Sequence, residues 1–331
     1  MEASGGVNNN KKVCVTGAGG FVASWLVKLL LSKGYFVHGT VREPGSPKYE
    51  HLLKLEKASE NLTLFKADIL DYESVYSAIV GCSAVFHVAS PVPSTVVPNP
   101  ELNPQVEVIE PAVKGTANVL EACLKANVER VVFVSSVAAV AINPNLPKDK
   151  AIDESCWSDK DYCKNTKNWY CYAKTEAEEQ ALHFAKRTGL NVVTICPTLV
   201  LGPILQSTTN ASSLVLVKLL KEGCDSVENK LRWIVDVRDV VNAILLAYEN
   251  HEADGRYICT SHAIVTRDLV ERLKGIYPNY KYPTNSYIEM DDYKMLSSEK
   301  LQSLGWKLRP LEETLIDSVE SYKEAGLLQS Q

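Results

Sequence analysis

The chain repeats one alternation through its first two thirds: a short apolar run, a polar turn, then a segment whose apolar positions recur every three or four residues. The apolar runs are residues 11–16 (KKVCVT), 35–41, 62–66, 84–88, 130–134 and 191–196. None shows the every-other-residue polarity of a half-exposed strand, so each predicts a strand covered on both faces. Helical periodicity fills the intervals at residues 21–31, 48–57, 72–80, 106–126 and 175–188. Strands spaced by helices predict an α/β fold, a Rossmann-type doubly wound parallel sheet. After Pro197 the pattern loosens. Helices are expected at 213–221, from a cap at Asp236, after Thr266 and at 312–323, with proline-rich loops around 278–283. These read as a smaller mixed C-terminal lobe. The expected boundaries are a disordered tail over 1–10, a first domain over 11–196 and a second over 197–331. The Asp236 helix is expected to carry the chain back to the first domain around 234–260.

Composition narrows this picture by exclusion. The 331 residues are 46% hydrophobic and 23% charged, ordinary for a soluble globular protein, and the net charge of −5 gives no electrostatic case for nucleic acid or an anionic membrane. No apolar run reaches the roughly 18 residues of a membrane span. Residues 1–10 are polar and rich in Gly and Asn, which suits a tail and not a signal peptide. Nine scattered cysteines, an odd number, predict reduced thiols and a cytoplasmic protein. Cys156, Cys163 and Cys171 fall close together and form a candidate redox-sensitive disulfide cluster. No spacing suits a metal, and none is expected. The chain is expected to be a monomer or weak dimer.

The first apolar run ends in Gly17-Ala18-Gly19-Gly20-Phe21-Val22-Ala23, directly before a helical segment. In that setting glycines permit a sharp turn and a close approach of pyrophosphate to the helix N-terminus, where free N–H groups and the helix dipole stabilise negative charge. Gly17, Gly19, Gly20, Phe21 and Val22 are therefore candidate dinucleotide contacts. Arg42 follows the second run, where an acidic residue would bind a ribose 2′-hydroxyl. A cation there suits a 2′-phosphate, so NADP(H) is favoured over NAD(H), with Lys48 adding charge. Asp68 and Ile69 end the third run, placed to meet the adenine. His87 to Ser90 ends the fourth at the edge where ligands dock in such sheets; Val88, Ala89 and Ser90 are assigned to the cofactor and His87 to the structure.

Chemistry enters with two hydroxyls and a Tyr/Lys pair. The fifth run terminates in Ser135-Ser136, and a hydroxyl at such a strand end can polarise a carbonyl and bind the oxyanion that hydride addition creates. The residues alone do not separate the two serines. Tyr170 and Lys174 stand four residues apart and open the segment Thr175 to Thr188 that reads as helix; at that spacing on a helix, phenol and ammonium share one face. The cation is expected to lower the phenol pKa and suit it to general-acid work near neutral pH.

These motifs, with Pro197-Thr198-Leu199-Val200-Leu201-Gly202-Pro203, resemble an extended short-chain dehydrogenase/reductase. Asn168-Trp169-Tyr170-Cys171-Tyr172 and the segment 202–207 are similar, more narrowly, to the plant group of cinnamoyl-CoA reductases, cinnamyl-alcohol dehydrogenase-like enzymes and dihydroflavonol reductases. The resemblance covers nearly the whole chain. It implies that Ser136 is the catalytic serine, Tyr170 the acid, and Lys174 the residue that holds the nicotinamide ribose. It places backbone contacts to nicotinamide at Pro197, Thr198, Leu199 and Val200, and a further NADP contact at Ser212.

The substrate expectation rests on departures from that group. Ala173 stands where true cinnamoyl-CoA reductases carry Gly, and Val215 where they carry a His associated with the CoA phosphates; Lys218 and Arg267 match other basic positions. Valine cannot donate to a phosphate oxygen, and a hydrogen bond to a charged group contributes about 1.5–3 kcal/mol. The expected substrate is therefore a phenolic aldehyde, a hydroxycinnamaldehyde of the coniferaldehyde or sinapaldehyde type reduced to its alcohol in phenylpropanoid metabolism. A hydroxycinnamoyl-CoA thioester is the alternative. Dihydroflavonol reduction is disfavoured because residues 137–142 (VAAVAI) lack the polar residue which that branch uses. Val137, Leu205, Val215, Trp233 and Tyr293 are the candidate substrate contacts. A non-catalytic NADP sensor is disfavoured by retention of Tyr170 and Lys174, and a nucleotide-sugar epimerase by Arg42.

Overall fold

Continuous apolar runs leave no face for water, and in the computed structural model they stack into a single parallel sheet. The structure describes residues 11–90, 103–146, 150–221, 227–283, 287–289 and 294–329. The strands are β1 (Lys12–Thr16), β2 (Phe36–Val41), β3 (Leu62–Lys66), β4 (Ala84–His87), β5 (Arg130–Val134), β6 (Val192–Pro197), β7 (Leu199–Leu201), β8 (Val227–Asn229), β9 (Leu231–Asp236), β10 (Gly255–Cys259), β11 (His262–Val265) and β12 (Tyr287–Glu289). Seven of them form the main sheet in the order β10-β6-β5-β4-β1-β2-β3, every neighbouring pair parallel.

The helices divide between the two faces of that sheet. On one lie α1 (Phe21–Ser32) and, from late in the chain, α9 (Val237–Glu249), packed with Val13, Val15 and Val37. On the other lie α4 (Tyr72–Ile79), α5 (Glu110–Lys125) and α7 (Trp169–Thr188), packed with Cys14, Val85 and Val131. Val13, Cys14 and Val15 alternate between the two cores, as the two-residue period of a strand requires.

A second core gathers around β7, β9 and β11, a three-stranded mixed sheet, with α8 (Ala211–Lys221), α10 (Thr266–Ile276) and α12 (Leu311–Glu324). Strands β8 and β12 make a separate parallel pair. Short helices α2 (Glu50–Leu53), α3 (Ala58–Asn61), α6 (Lys160–Asn165) and α11 (Glu299–Ser303) complete the described chain. Among the described residues no helix is long and apolar enough to cross a membrane.

Two helices differ from expectation. Residues 48–57 do not form one helix: Pro47–Tyr49 is a 3-10 turn, α2 follows, and Lys57 takes φ 61° before α3. α2 has already ended at Leu53, and the left-handed backbone of Lys57, the N-cap of α3, keeps the two short helices from joining. The helix expected from Thr175 begins at Trp169, because Asn168 Oδ1 accepts a hydrogen bond from the Cys171 N–H (3.4 Å) and caps it. Tyr170 and Lys174 both lie on α7 as a result.

Candidate active site

The ends of β1, β4 and β5, the N-terminus of α1 and the first turns of α7 converge at the C-terminal edge of the main sheet. That edge is where open parallel sheets bind ligands. At the β1–α1 turn, Gly17 has φ +66° and lies against the Ala89 backbone, 3.1 Å from where a Cβ would stand. A Cβ on Gly19 would run into the ring of Tyr49. Helix α1 starts with Gly20 as N-cap, has no side-chain cap and carries no acid in its first turn. The N–H groups of Phe21 and Val22 thus lie in a first turn with no intrahelical acceptor. A cradle of glycines before an uncapped helix fits the pyrophosphate of a dinucleotide.

The surrounding candidates fall along the same edge. Arg42 and Lys48 are exposed just beyond β2, with Lys48 Nζ 5.8 Å from the Tyr49 ring centre. Asp68 accepts the Leu70 N–H (2.9 Å), so one of its oxygens shapes its own turn, and the Ile69 carbonyl receives Asn118 Nδ2 from α5 (2.9 Å). The N–H groups of Val88 and Ala89 both donate to Thr16 Oγ1, at 3.1 and 3.0 Å, and Ser90 follows half-buried.

His87 has the structural role expected of it. With two N–H groups already pointing at its oxygen, Thr16 donates to His87 Nδ1 (2.9 Å). His87 Nε2–H then donates to Thr116 Oγ1 (3.2 Å), which donates to the Ala112 carbonyl (2.7 Å). The ring is buried and neutral, its pKa pushed down to about 3 by burial and then by the Lys174 charge.

The two serines diverge sharply. Ser135 is buried and its hydroxyl donates to Glu178 Oε2 of α7 at 2.7 Å. Ser136 is half-exposed, its oxygen accepting the Ala138 N–H (3.1 Å), and its hydroxyl acts on the Tyr170 phenol. The serine that faces Tyr170 is therefore Ser136. Lys174 is buried one turn after Tyr170, and its Nζ donates to the Val134 carbonyl at 3.3 Å. Burial pulls its pKa down to about 8, against the opposing charge of Glu178.

One electrostatic expectation is overturned. The Tyr170 pKa is raised, because burial disfavours the phenolate more than the Ser136 hydroxyl favours it. A phenol that keeps its proton is loaded for donation, the direction that reduction requires.

The contacts after β6 are anchored by a neighbouring strand. The Thr198 N–H donates to the Cys259 carbonyl (3.1 Å), and Leu199 and Val200 continue as β7 beyond Pro197. Ser212 Oγ accepts Asn210 Nδ2 at 2.6 Å in the first turn of α8. Of the substrate candidates, Val137 sits in the short turn after Ser136, and Trp233 Nε1 donates to the Lys294 carbonyl (3.1 Å). Lys294 Nζ in turn reaches the Asn143 carbonyl (3.1 Å), tying Trp233 to the loop that follows Ser136. Leu205 and Val215 are half-buried in the second lobe, and Tyr293 lies outside the described residues. Cys156, Cys163 and Cys171 are free thiols. No metal-binding cluster occurs among the described residues.

This geometry has counterparts. The NAD dependent epimerase/dehydratase family matches residues 13–259. The chain belongs to this family. Its likeness to Cinnamoyl-CoA reductase 1 of Petunia hybrida is 49% identity, covering 96% of this chain and 93% of the relative. Among solved structures, vestitone reductase from alfalfa superposes with a TM-score of 0.81 at 30% identity, covering 96% of this chain and 99% of that one. The yeast methylglyoxal/isovaleraldehyde reductase complexed with NADPH gives 0.81 at 26%, covering 96% and 100%. The chain is thus a nicotinamide-dependent reductase of the short-chain type, and its Gly17–Val22 cradle is the part that fits the cofactor. Residues that the sequence did not single out also shape the reductase site: Thr16, Tyr49, Glu178 and Arg256. Only Glu178, eight residues after Tyr170 and on the same helical face, left a spacing that could have been read.

Proposed function

We propose that this reductase uses NADPH to reduce a hydroxycinnamoyl-CoA thioester to its aldehyde, releasing coenzyme A. The observation that carries the reading is the 49% identity to a cinnamoyl-CoA reductase along nearly the whole chain. Arg42 and Lys48, exposed beyond β2, supply the positive charge that a 2′-phosphate needs. When bound, the cofactor supplies a hydride. The chain's own groups do the rest. Ser136 and Tyr170 hold the carbonyl oxygen and stabilise the negative charge that develops on it. Lys174 keeps a positive field behind Tyr170. As the tetrahedral carbon collapses, the C–S bond breaks and the thiolate leaves, taking a proton on release, while the C=O bond re-forms as the aldehyde. The cations Lys218 on α8 and Arg267 on α10 flank one shared core and offer charge for the CoA phosphates.

A second reading is the reduction of the aldehyde itself to the alcohol, with Tyr170 donating the proton. Val215 favours it, since that position carries no donor for a phosphate. Side-by-side NADPH oxidation with a hydroxycinnamoyl-CoA and its aldehyde separates the two. A higher kcat/KM for the thioester is expected. Turnover of the aldehyde alone would overturn the first reading in favour of the second.

A further inference from the structure

The buried carboxylate of Glu178 has no part in the chemistry above, yet four side chains converge on it. Its Oε1 accepts from Thr194 Oγ1 (2.6 Å), Arg256 Nε (2.8 Å) and Cys196 Sγ (3.3 Å); its Oε2 accepts from Ser135 Oγ (2.7 Å) and Arg256 Nη2 (3.3 Å). Strands β5, β6 and β10 are thereby joined to α7 at one point. Arg256 continues the network. Its Nη1 donates to the carbonyls of Glu154 (3.1 Å) and Cys156 (2.8 Å), its Nη2 to the Ala139 carbonyl (3.4 Å), and its guanidinium lies 3.6 Å from the Trp157 ring centre.

Ser136 is bracketed by this node, since Ser135 before it is held by Glu178 and Ala139 after it by Arg256. Tyr170, Lys174 and Glu178 are spaced four residues apart along α7 and so rise along a single face. We propose that Glu178, held by Arg256, is a positioning residue of the reductase: it fixes the Ser136 turn against α7 and sets a carboxylate one helical turn beyond Lys174. The inference rests on the reductase reading and deepens it.

The electrostatic half follows from what faces Lys174. Tyr170 and Glu178 approach from α7, His87 from β4, Cys196 from β6, and Arg256 stands behind Glu178 on β10. His87 is neutral and burial raises the Cys196 thiol pKa well above its ordinary value, so Glu178 is the group whose charge opposes the cost of burying the ammonium. Taking that charge away moves the Lys174 pKa further down, and the ammonium is then lost at lower pH.

The test compares wild type, Glu178→Gln, Glu178→Asp and Ser135→Ala as full chains. The readouts are kcat for NADPH oxidation with the thioester or aldehyde from pH 6 to 10, and NADPH affinity by fluorescence. For Glu178→Gln we expect kcat to fall by about 10²-fold, the alkaline limb to move down by about one pH unit or more, and NADPH affinity to change little. Glu178→Asp should restore the limb. Ser135→Ala, which keeps the charge and removes one arm, should lower kcat by roughly tenfold without moving the limb. A folded Glu178→Gln protein with the wild-type limb overturns the proposal. Should that variant fail to fold, Ser135→Ala with wild-type kcat overturns it. Wild-type protein inactive on both substrates removes the parent reading and this one together, whereas active wild type with an unmoved limb removes this one alone.

Discussion

The two halves of the site are built to different standards. Along the sheet edge, Thr16, His87, Thr116, Ser135 and Lys174 are buried, and each has a named hydrogen-bond partner. In the second lobe, Leu205, Ser212, Val215, Lys218 and Trp233 are half-buried, on short strands, loops and one helix. A buried polar network tolerates little change, because each lost partner leaves a group unsatisfied at a cost of about 1–3 kcal/mol. A half-exposed surface can replace one side chain with another and let water fill the difference. On the proposed function, the contrast would leave hydride chemistry to the sheet edge and the choice of carbonyl compound to residues that are cheap to alter.

Substitutions should therefore cost most at the sheet edge and least in the second lobe. Tyr170→Phe, which removes the donor and leaves the ring, should lower kcat on the order of 10³-fold while NADPH binding measured by fluorescence survives. Near-normal turnover would break the comparison at its strongest point. Acid should weaken the same region. His87 has a folded-state pKa of about 3 against 6.5 unfolded, so the unfolded chain alone takes up the proton as pH falls between those values. The stability this gives is fully present above pH 6.5 and is lost toward pH 3, on the order of 5 kcal/mol at 1.36 kcal/mol per pKa unit. Denaturant titrations at stepped pH check this, and in His87→Asn the slope over that window should flatten.

Arg42→Ala comes next: NADPH affinity should fall about tenfold to a hundredfold with NADH affinity unchanged, as for a lost hydrogen bond to a charged group. Equal loss for both cofactors would place Arg42 away from the 2′-phosphate. The smallest effect belongs to the second lobe. Val215→His should lower KM for the thioester by roughly tenfold or less and leave aldehyde kinetics alone. A large change in kcat instead would mean that α8 takes part in the chemistry, and the division between the halves would fail.

Legibility followed the same division. The strands were readable because most of the sheet is covered on both faces: β5 is buried at every position, while the partly exposed edge strand β3 was marked by its apolar Leu62, Leu64 and Phe65. The glycine turn and the Tyr170/Lys174 spacing were local features and equally visible. The residues alone did not separate Ser135 from Ser136, and only the family resemblance pointed to Ser136, since what distinguishes them in the fold is a carboxylate 43 residues from Ser135, Glu178. The rise in the Tyr170 pKa was misjudged for a related reason: a neighbouring cation shows in the sequence, but the depth of burial that outweighs it does not. The start of α7 was placed late because the aromatic run 168–172 gives no helical period, and only the Asn168 cap marks its beginning. The single helix expected over 48–57 shrank to one turn, α2, with a 3-10 turn before Glu50 and no helix from Lys54 to the left-handed Lys57, none of which the apolar pattern encodes.

One strand has a consequence for any attempt to take the molecule apart. β10 closes the edge of the main sheet beside β6 although it follows the whole of β7 to β9 in the chain, and Arg130 of β5 donates to the carbonyls of Ala247 (2.9 Å) and Asn250 (2.6 Å) at the end of α9. A fragment stopped after Cys196 would strip β6 of its outer neighbour, uncover the apolar bed of α9 and take from Arg130 the carbonyls to which it donates. We expect such a fragment to aggregate, and the piece from Pro197 onward to fare no better. Swapping substrate preferences between relatives is then best done by grafting the stretch between β6 and α9, where the polypeptide leaves and re-enters the same scaffold, and not by joining halves.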